Sequence, residues 1–397
     1  MQKRWIPFFW VCAALISGTM GTALASPLYP LYQQLWQLQP SDITTMFIAY
    51  MGGTLMSILF LGRLSDSLGF AKVLRAGLLL VLMGVGLSAF AQNAFMLSCA
   101  RVIIGIASGL ISTSGMMGML QTSPLPSEAQ TARWYASLNG LGFGMGPLIG
   151  GLVAQISGGS VLLPYLPVML LTAVVLYQMW RMPFHAPSAP KPLDFKPRLA
   201  LPEVGLGRKQ FYLAAAGAFA AFAMFSLYAS LAGSFIAEFL PWHGPLVSGS
   251  AIAMVLFLSS ATQFFLRRLS LAKTYAAATA MILVADVMLV LTLELHSLPL
   301  FLLSIVATAM AHGLTLMAGF GKVQDITHSH NRAAVVSTFL VSGYCGAILP
   351  VMALGWLADH LGISTAVIIY CAVFALWAIA LFTGFVRLKR QRATQTI

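Results

Sequence analysis

Twelve mostly apolar stretches run through this 397-residue chain, each about as long as the roughly 20 residues that a helix needs to cross a bilayer. Only 8% of the residues are charged, whereas about 25% is usual in a soluble domain. The alternation typical of a β-barrel is absent, so helices must satisfy the backbone in lipid. The sequence therefore predicts an all-α membrane protein with twelve transmembrane helices. The predicted spans are 5–29, 42–62, 73–92, 94–119, 132–156, 161–180, 209–237, 245–266, 273–293, 298–321, 333–357 and 363–386.

The basic residues indicate the orientation of these spans. Of the 22 Lys and Arg residues, 21 fall on one side of the membrane if twelve helices are threaded, and the opposite connections contain none. The positive-inside rule then places both termini in the cytoplasm. This topology, together with contact with anionic lipids, explains the formal net charge of +12, so we expect no nucleic-acid partner. We expect a multi-pass protein of the plasma membrane, the inner membrane of a bacterium.

An internal repeat relates the two halves of the chain. A shift of 203 residues brings Gly118 onto Gly321 and Pro147 onto Pro350, and the start of the first span onto the start of the seventh. Ala23 and Ala25, on either side of Leu24, resemble a signal-peptide cleavage site, and cleavage there would leave eleven helices. Because the first span has a counterpart in the second half, we expect it to be retained. The chain should form two six-helix pseudo-repeats, an arrangement found in transporters with a central site.

The only long polar stretch separates the halves. Residues 182–208 contain six prolines, with six basic residues in and beside them, which is typical of a semi-rigid cytoplasmic linker. The predicted division is an N-terminal bundle at 1–181, the linker at 182–208 and a C-terminal bundle at 209–397. We expect the linker to bend freely between two moving bundles.

A loop motif follows the second span. Gly62, Asp66, Gly69 and Lys72 resemble the signature G-x-L-[AS]-D-x-x-G-x-x-[KR] of the major facilitator superfamily, although the basic residues common inside that loop are missing here. The two glycines suit a tight turn, and the carboxylate of Asp66 suits capping of a helix N-terminus or pairing with a base. We expect Asp66 to act in conformational switching, by stabilising the outward-facing state.

The fifth span carries the most specific motif. Gly142, Gly146, Pro147, Gly150 and Gly151 match G-x-x-x-G-P-x-x-G-G, which resembles the signature of the antiporter branch of that superfamily. Small residues allow another helix to approach closely, and the proline bends the helix. Generic glycine packing is the alternative interpretation.

Arg101 begins a second, shorter match in the fourth span. With Gly105 it is similar to the superfamily's R-x-x-x-G motif. It is the one base outside the cytoplasmic set, about 10 Å inside the membrane from the outer surface. A guanidinium there should face protein or a water-filled cavity. A purely structural contact and a role in protonation or substrate binding are both open.

The resemblance implies a secondary transporter that works by alternating access of its two halves. We expect proton-coupled efflux of small, partly hydrophobic compounds, with protons and a small-molecule substrate as partners, in a monomer. A nutrient-uptake symporter and a non-transporting sensor or lipid-handling protein on the same fold are the alternatives. No P-loop and no protease motif is present, so we expect no ATP use, no enzyme activity, no cofactor and no metal.

In the superfamily's architecture, helices one, four, seven and ten line the central cavity. Methionines, aromatic residues and few amides suggest a soft, mostly apolar site, although the aromatic residues of the seventh span also suit packing or lipid contact. The candidates are Met20, Thr22, Ser108, Ser112, Met116, Phe222, Phe225, Tyr228 and Thr315.

The proton-coupling candidates follow from exclusion. Of the ten acidic residues, only Asp286 lies deep in a span. Asp286 and His312 lie about 20 Å and about 15 Å above the cytoplasmic ends of their helices, close enough in depth for a pair or a water-bridged relay if their faces meet. A carboxyl group out of water suits reversible protonation, but Asp286 would equally suit a hydrogen bond to a neighbour. The reserve candidates are Glu238, Glu294 and Arg101.

Overall fold

The structure is a computed structural model that describes residues 2–184, 192–197, 199–241, 244–327 and 331–395. These residues form fourteen α-helices and two short 3-10 helices, and they contain no strand. In chain order the α-helices are α1 (Gln2–Ala23), α2 (Tyr29–Trp36), α3 (Pro40–Leu61), α4 (Leu64–Leu68), α5 (Phe70–Ala89), α6 (Ala94–Thr122), α7 (Glu128–Ile156), α8 (Leu166–Arg181), α9 (Leu206–Phe239), α10 (Pro245–Phe265), α11 (Leu271–Leu295), α12 (Leu298–Asp325), α13 (Arg332–Leu361) and α14 (Ile363–Gln395). The 3-10 helices are Ser26–Leu28 and Leu163–Tyr165.

Twelve helical segments among the described residues are long and apolar enough to cross a membrane. This confirms the predicted number of spans, and every predicted span coincides with one of them. Several helices start at a polar cap that satisfies exposed backbone N–H groups. The side chains of Asn93 and Ser127 accept hydrogen bonds from the backbone N–H of Met96 and Gln130, at the starts of α6 and α7.

The sequence predicts one continuous helix for the first span, but the structure breaks this helix after Ala23. α1 ends at Ala23, a 3-10 turn follows at Ser26–Leu28, and α2 continues from Tyr29 to Trp36. Pro27 lies in this turn and lacks the N–H that would continue the α-helical ladder. The break leaves backbone carbonyls at the end of α1 in need of a donor.

The last helix is longer than predicted. α14 continues past the predicted end at 386 to Gln395, so the basic C-terminal residues prolong the helix instead of forming a separate tail. Polar residues continue a helix at the membrane surface readily, because their side chains reach water while the backbone stays paired.

Contacts divide the chain into two units. Unit 1 comprises Met1–Pro197 with His243–Leu256, and unit 2 comprises Arg198–Trp242 with Phe257–Ile397. In unit 1, α6 packs on α1, α3 and α5, and α1 also packs on α7. In unit 2, α9 packs on α12 and α13, and α11 packs on α12 and α14. The first half of α10 therefore belongs with unit 1.

Candidate functional site

Three glycines on one face of α7 bring its backbone close to α1. A Cβ atom at Gly142 or Gly146 would collide with α1, and one at Gly150 would lie 2.7 Å from the carbonyl oxygen of Leu24. Real Cβ atoms do not tolerate such distances to a backbone atom that cannot move aside. These motif positions therefore hold two helices at a separation that only glycine permits.

The other face of α7 makes an equally close contact with α10. A Cβ at Gly151 would collide with the carbonyl oxygen of Pro245, and one at Gly249 would collide with that of Pro147. The motif thus packs on two helices at once, both within unit 1. Gly249 was not among the predicted site residues, because a lone glycine in an apolar helix carries no sequence signal of its partner.

The loop after α3 folds into a short helix between two glycines. Gly69 has φ +83°, a backbone conformation that glycine adopts without strain, and it links α4 to α5 as predicted for a tight turn. Gly62 has an ordinary helical φ of −59°, and its need for glycine is different: a Cβ would lie 2.6 Å from the carbonyl oxygen of Ile58. Asp66 is half-buried in α4, and Lys72 is exposed on α5.

The first part of the linker packs on this loop. Arg63 donates from Nη1 to Oδ2 of Asp194 at 3.0 Å, and the hydroxyl of Ser67 donates to the carbonyl oxygen of Pro192 at 3.2 Å. Both contacts lie within unit 1. An ion pair and a hydrogen bond therefore connect this end of the linker to the motif loop.

The last part of the linker packs on unit 2. The hydroxyl of Thr338 on α13 accepts a hydrogen bond from the Ala200 N–H at 3.0 Å and donates to the Ala200 carbonyl at 2.8 Å. Arg208 donates to the carbonyl oxygen of Pro202 at 3.0 Å. Linker residues 185–191 and 198 lie outside the described residues.

Asp286 is a buried acid on α11 that faces only a weak donor, a thiol, among the described residues. It is 2% exposed, and neither carboxyl oxygen accepts a hydrogen bond from an N–H or O–H group of the described residues. The Cys371 thiol, a weak donor, faces it from α14. Two nearby tyrosine hydroxyls are committed elsewhere: that of Tyr228 donates to Ser304 at 2.9 Å, and that of Tyr370 donates to a backbone carbonyl. Among the described residues, the carboxyl therefore has only the weak thiol donor available to it.

His312 lies in a different environment on α12. Its Nδ1 is 2.8 Å from the hydroxyl of Ser259 on α10, and its ring lies 5.8 Å from that of Phe225 and 6.1 Å from that of Phe222. No contact joins His312 to Asp286 among the described residues. The side chains of the two residues face different neighbours, so the structure does not bring them together as a pair.

A family model for the Major Facilitator Superfamily matches residues 11–285. The chain belongs to the Major Facilitator Superfamily. It is accordingly a multi-pass integral membrane protein from a superfamily of transporters, which are not enzymes. The predicted family, fold and protein class are thereby confirmed.

Curated relatives within the superfamily match part of the chain. The multidrug efflux protein YfmO of Bacillus subtilis is 26% identical over 182 residues, which cover 46% of this chain and 44% of YfmO. The quinolone resistance protein NorA of Staphylococcus aureus is 29% identical over 139 residues, which cover 35% of this chain and 36% of NorA. The matches thus span less than half of the length of each relative.

Solved structures match along nearly the whole chain. The POT family transporter PepTSo has a TM-score of 0.77 at 11% identity, with 97% of this chain and 98% of that chain covered. An inward-facing bacterial homologue of the human lysosomal transporter Spinster has a TM-score of 0.71 at 12% identity, with 97% and 98% covered. At these identities the similarity shows the fold alone, which is the superfamily's.

Arg101, the superfamily-like arginine of α6, binds the broken end of α1. It is 1% exposed, and its Nη1 donates to the carbonyl oxygen of Thr22 at 2.7 Å. Its guanidinium lies 4.6 Å from the ring centre of Tyr50. A cation at a helix C-terminus stabilises the helix dipole, so these contacts favour the structural interpretation. Its Nε has no hydrogen-bond partner among the described residues.

The cavity candidates divide by exposure. Those that are buried lie against helices of their own unit; for example, the Ser108 and Tyr50 hydroxyls are 3.4 Å apart. Half-buried side chains retain surface with which to contact a substrate of a superfamily transporter. Met20, Thr22, Ser108, Tyr228 and Thr315 are buried, whereas Ser112, Met116, Phe222 and Phe225 are half-buried.

The two reserve glutamates lie at helix ends. Glu238 is exposed near the end of α9, and Glu294 is exposed near the end of α11. An exposed carboxylate keeps its hydration, so its charge carries no desolvation cost. Of the acidic candidates, Asp286 is the one that the structure buries.

Proposed function

We propose that this transporter exports small, partly hydrophobic compounds in exchange for protons, by alternating access of its two halves. The packing of the α7 motif carries the proposal. Its glycines hold α7 against both α1 and α10, in the pattern that resembles the antiporter branch. The similarity to proteins named for multidrug efflux and quinolone resistance supports the same direction of transport.

The aromatic side chains of α9 support the substrate class. Phe222 and Phe225 are half-buried and flank His312, and Phe222 also lies 5.4 Å from the ring of Tyr344 on α13. Aromatic rings offer a large apolar surface that adapts to flat compounds, and the imidazole and phenol add polar groups. We infer that a partly hydrophobic, aromatic-containing compound contacts this cluster.

Asp286 supports proton coupling. A buried carboxylate that has only a thiol as a donor is costly, whereas its protonated form is far less so. The site therefore suits a group that gains a proton in one conformation and loses it in another, where water or a donor reaches it. Asp286 can take this role without a proton relay to His312.

The proposal is tested by reconstitution of the purified protein in liposomes with a fluorescent quinolone as substrate. When the liposome lumen is more acidic than the outside, protons should leave through the transporter and the compound should accumulate inside. Collapse of the gradient with an ionophore should abolish this accumulation. Accumulation only when protons and compound move in the same direction would show a symporter. Binding without any transport would show a sensor, and either result would contradict the proposal.

A further inference from the structure

Within unit 2, α10 and α12 come into close contact at a glycine. A Cβ atom at Gly313 on α12 would lie 2.6 Å from the carbonyl oxygen of Ser259 on α10. A backbone oxygen at that distance leaves no room for a side chain, so the contact depends on glycine. His312 is the residue before Gly313, and the same contact therefore holds its side chain close to Ser259.

The hydrogen bond between these two side chains shows which ring nitrogen carries the proton. The Ser259 hydroxyl lies 2.8 Å from Nδ1 of His312 and has no other hydrogen-bond partner among the described residues. A serine hydroxyl has a single proton, and in a neutral imidazole one nitrogen donates and the other accepts. If Nδ1 donated, the buried hydroxyl proton would be left without an acceptor, which costs free energy. Ser259 therefore donates to Nδ1, and the imidazole proton lies on Nε2.

Nε2 of His312 is a donor that a ligand can reach. It has no hydrogen-bond partner among the described residues. It is also not one of the polar atoms that the protein encloses without a partner, as the hydroxyls of Ser226 and Thr315 are. The 9% of the His312 surface that stays exposed is consistent with this access. Because the two ring nitrogens point in different directions, Nε2 does not face Ser259.

Two phenylalanine rings of α9 border the imidazole. The ring centre of Phe225 lies 5.8 Å from that of His312, and the ring centre of Phe222 lies 6.1 Å from it. Both phenylalanines are half-buried, so each keeps apolar surface for a ligand. A single polar group beside apolar walls is the usual way in which a binding site fixes the orientation of a mostly hydrophobic compound.

We propose that His312 selects flat aromatic compounds that carry a carbonyl oxygen, by donating a hydrogen bond from Nε2 to that oxygen. Ser259 is a positioning residue, since its hydroxyl keeps the imidazole proton on Nε2. The inference rests on the proposed transport of partly hydrophobic compounds and specifies which of them bind. A compound without an acceptor would displace water from Nε2 and leave this donor unpaired, which weakens binding.

The test compares fluorenone with fluorene, which have the same flat ring system and differ in the carbonyl group. Binding of the tritiated compounds to the purified protein is measured by scintillation proximity, with no gradient present. His312→Leu removes the donor and should weaken fluorenone binding about fivefold, the effect of one hydrogen bond, and leave fluorene binding unchanged. His312→Gln places an amide N–H near the position of Nε2 and should restore the preference for fluorenone.

The role of Ser259 is tested by nitrogen NMR of protein labelled at histidine, with the His312 signals identified by their loss in His312→Gln. In the wild type, Nε2 should be protonated and Nδ1 should not, and fluorenone but not fluorene should shift the Nε2 signal. Ser259→Ala should give a mixture of the two protonated forms. A protonated Nδ1 in the wild type would overturn the role assigned to Ser259 and to the Nε2 donor.

His360→Leu is the matched control, because it makes the same change at an exposed histidine of α13. It should bind both compounds as the wild type does. Equal weakening of both compounds in His312→Leu would show that the imidazole acts only by packing, and would overturn this inference while leaving the proposed substrate class intact. If neither compound bound to the wild type, the proposed substrate class would fail, and this inference with it.

Discussion

At the scale of single residues, two buried ionisable side chains have opposite surroundings. Arg101 donates to a carbonyl at the end of α1 and lies over an aromatic ring, so its charge is compensated in place. Among the described residues, the Asp286 carboxyl has only a thiol, a weak donor, facing it. A compensated charge suits a permanent structural contact, whereas an uncompensated carboxyl suits a proton carrier.

Asp286→Asn tests this distinction, because it keeps the size of the side chain and removes the exchangeable proton. Gradient-driven transport in proteoliposomes should fall to the level of protein-free liposomes, while downhill exchange of substrate continues. Glu294→Gln removes an exposed carboxylate from the same helix and should transport as the wild type does. Undiminished gradient-driven transport in Asp286→Asn would remove Asp286 from the mechanism.

At the scale of helices, the contact between α7 and α10 should be sensitive to a single methyl group. Gly249→Ala places a Cβ against the Pro147 carbonyl, which cannot yield, and should destabilise the protein by about 1–3 kcal/mol and impair transport. Gly52→Ala on α3 is the matched control, since a Cβ there has nothing within 4 Å. Thermal unfolding in detergent compares the two variants; equal melting temperatures would show that the close contact does not matter for stability.

The helices were predictable from sequence, and their contacts were not. Apolar length sets the number of spans, but the break after Ala23 depends on Pro27 within an otherwise apolar stretch. Counting residues along a helix predicts how far Asp286 and His312 lie from its end, but not the direction of each side chain around the helix axis. The Arg63–Asp194 ion pair joins residues 131 positions apart, a separation that no local pattern reveals.

At the scale of the whole molecule, the distribution of basic residues predicts that the linker is cytoplasmic. In a chain whose four native cysteines are replaced by alanine, Leu193→Cys in the linker should resist an impermeant maleimide in intact cells and react after lysis. Gln92→Cys, in the exposed connection between α5 and α6, should react in intact cells. The reverse labelling pattern would show that the orientation has been assigned the wrong way round.

The central claim is exchange of protons for substrate, and proton movement itself tests it most directly. Liposomes containing the purified protein and a trapped pH-sensitive dye are given a substrate gradient but no pH gradient. Inward movement of substrate should drive protons outward, so the lumen should become more alkaline, and liposomes with Asp286→Asn should show no such change. Acidification of the lumen as substrate enters, or substrate entry with no proton movement, would contradict the account.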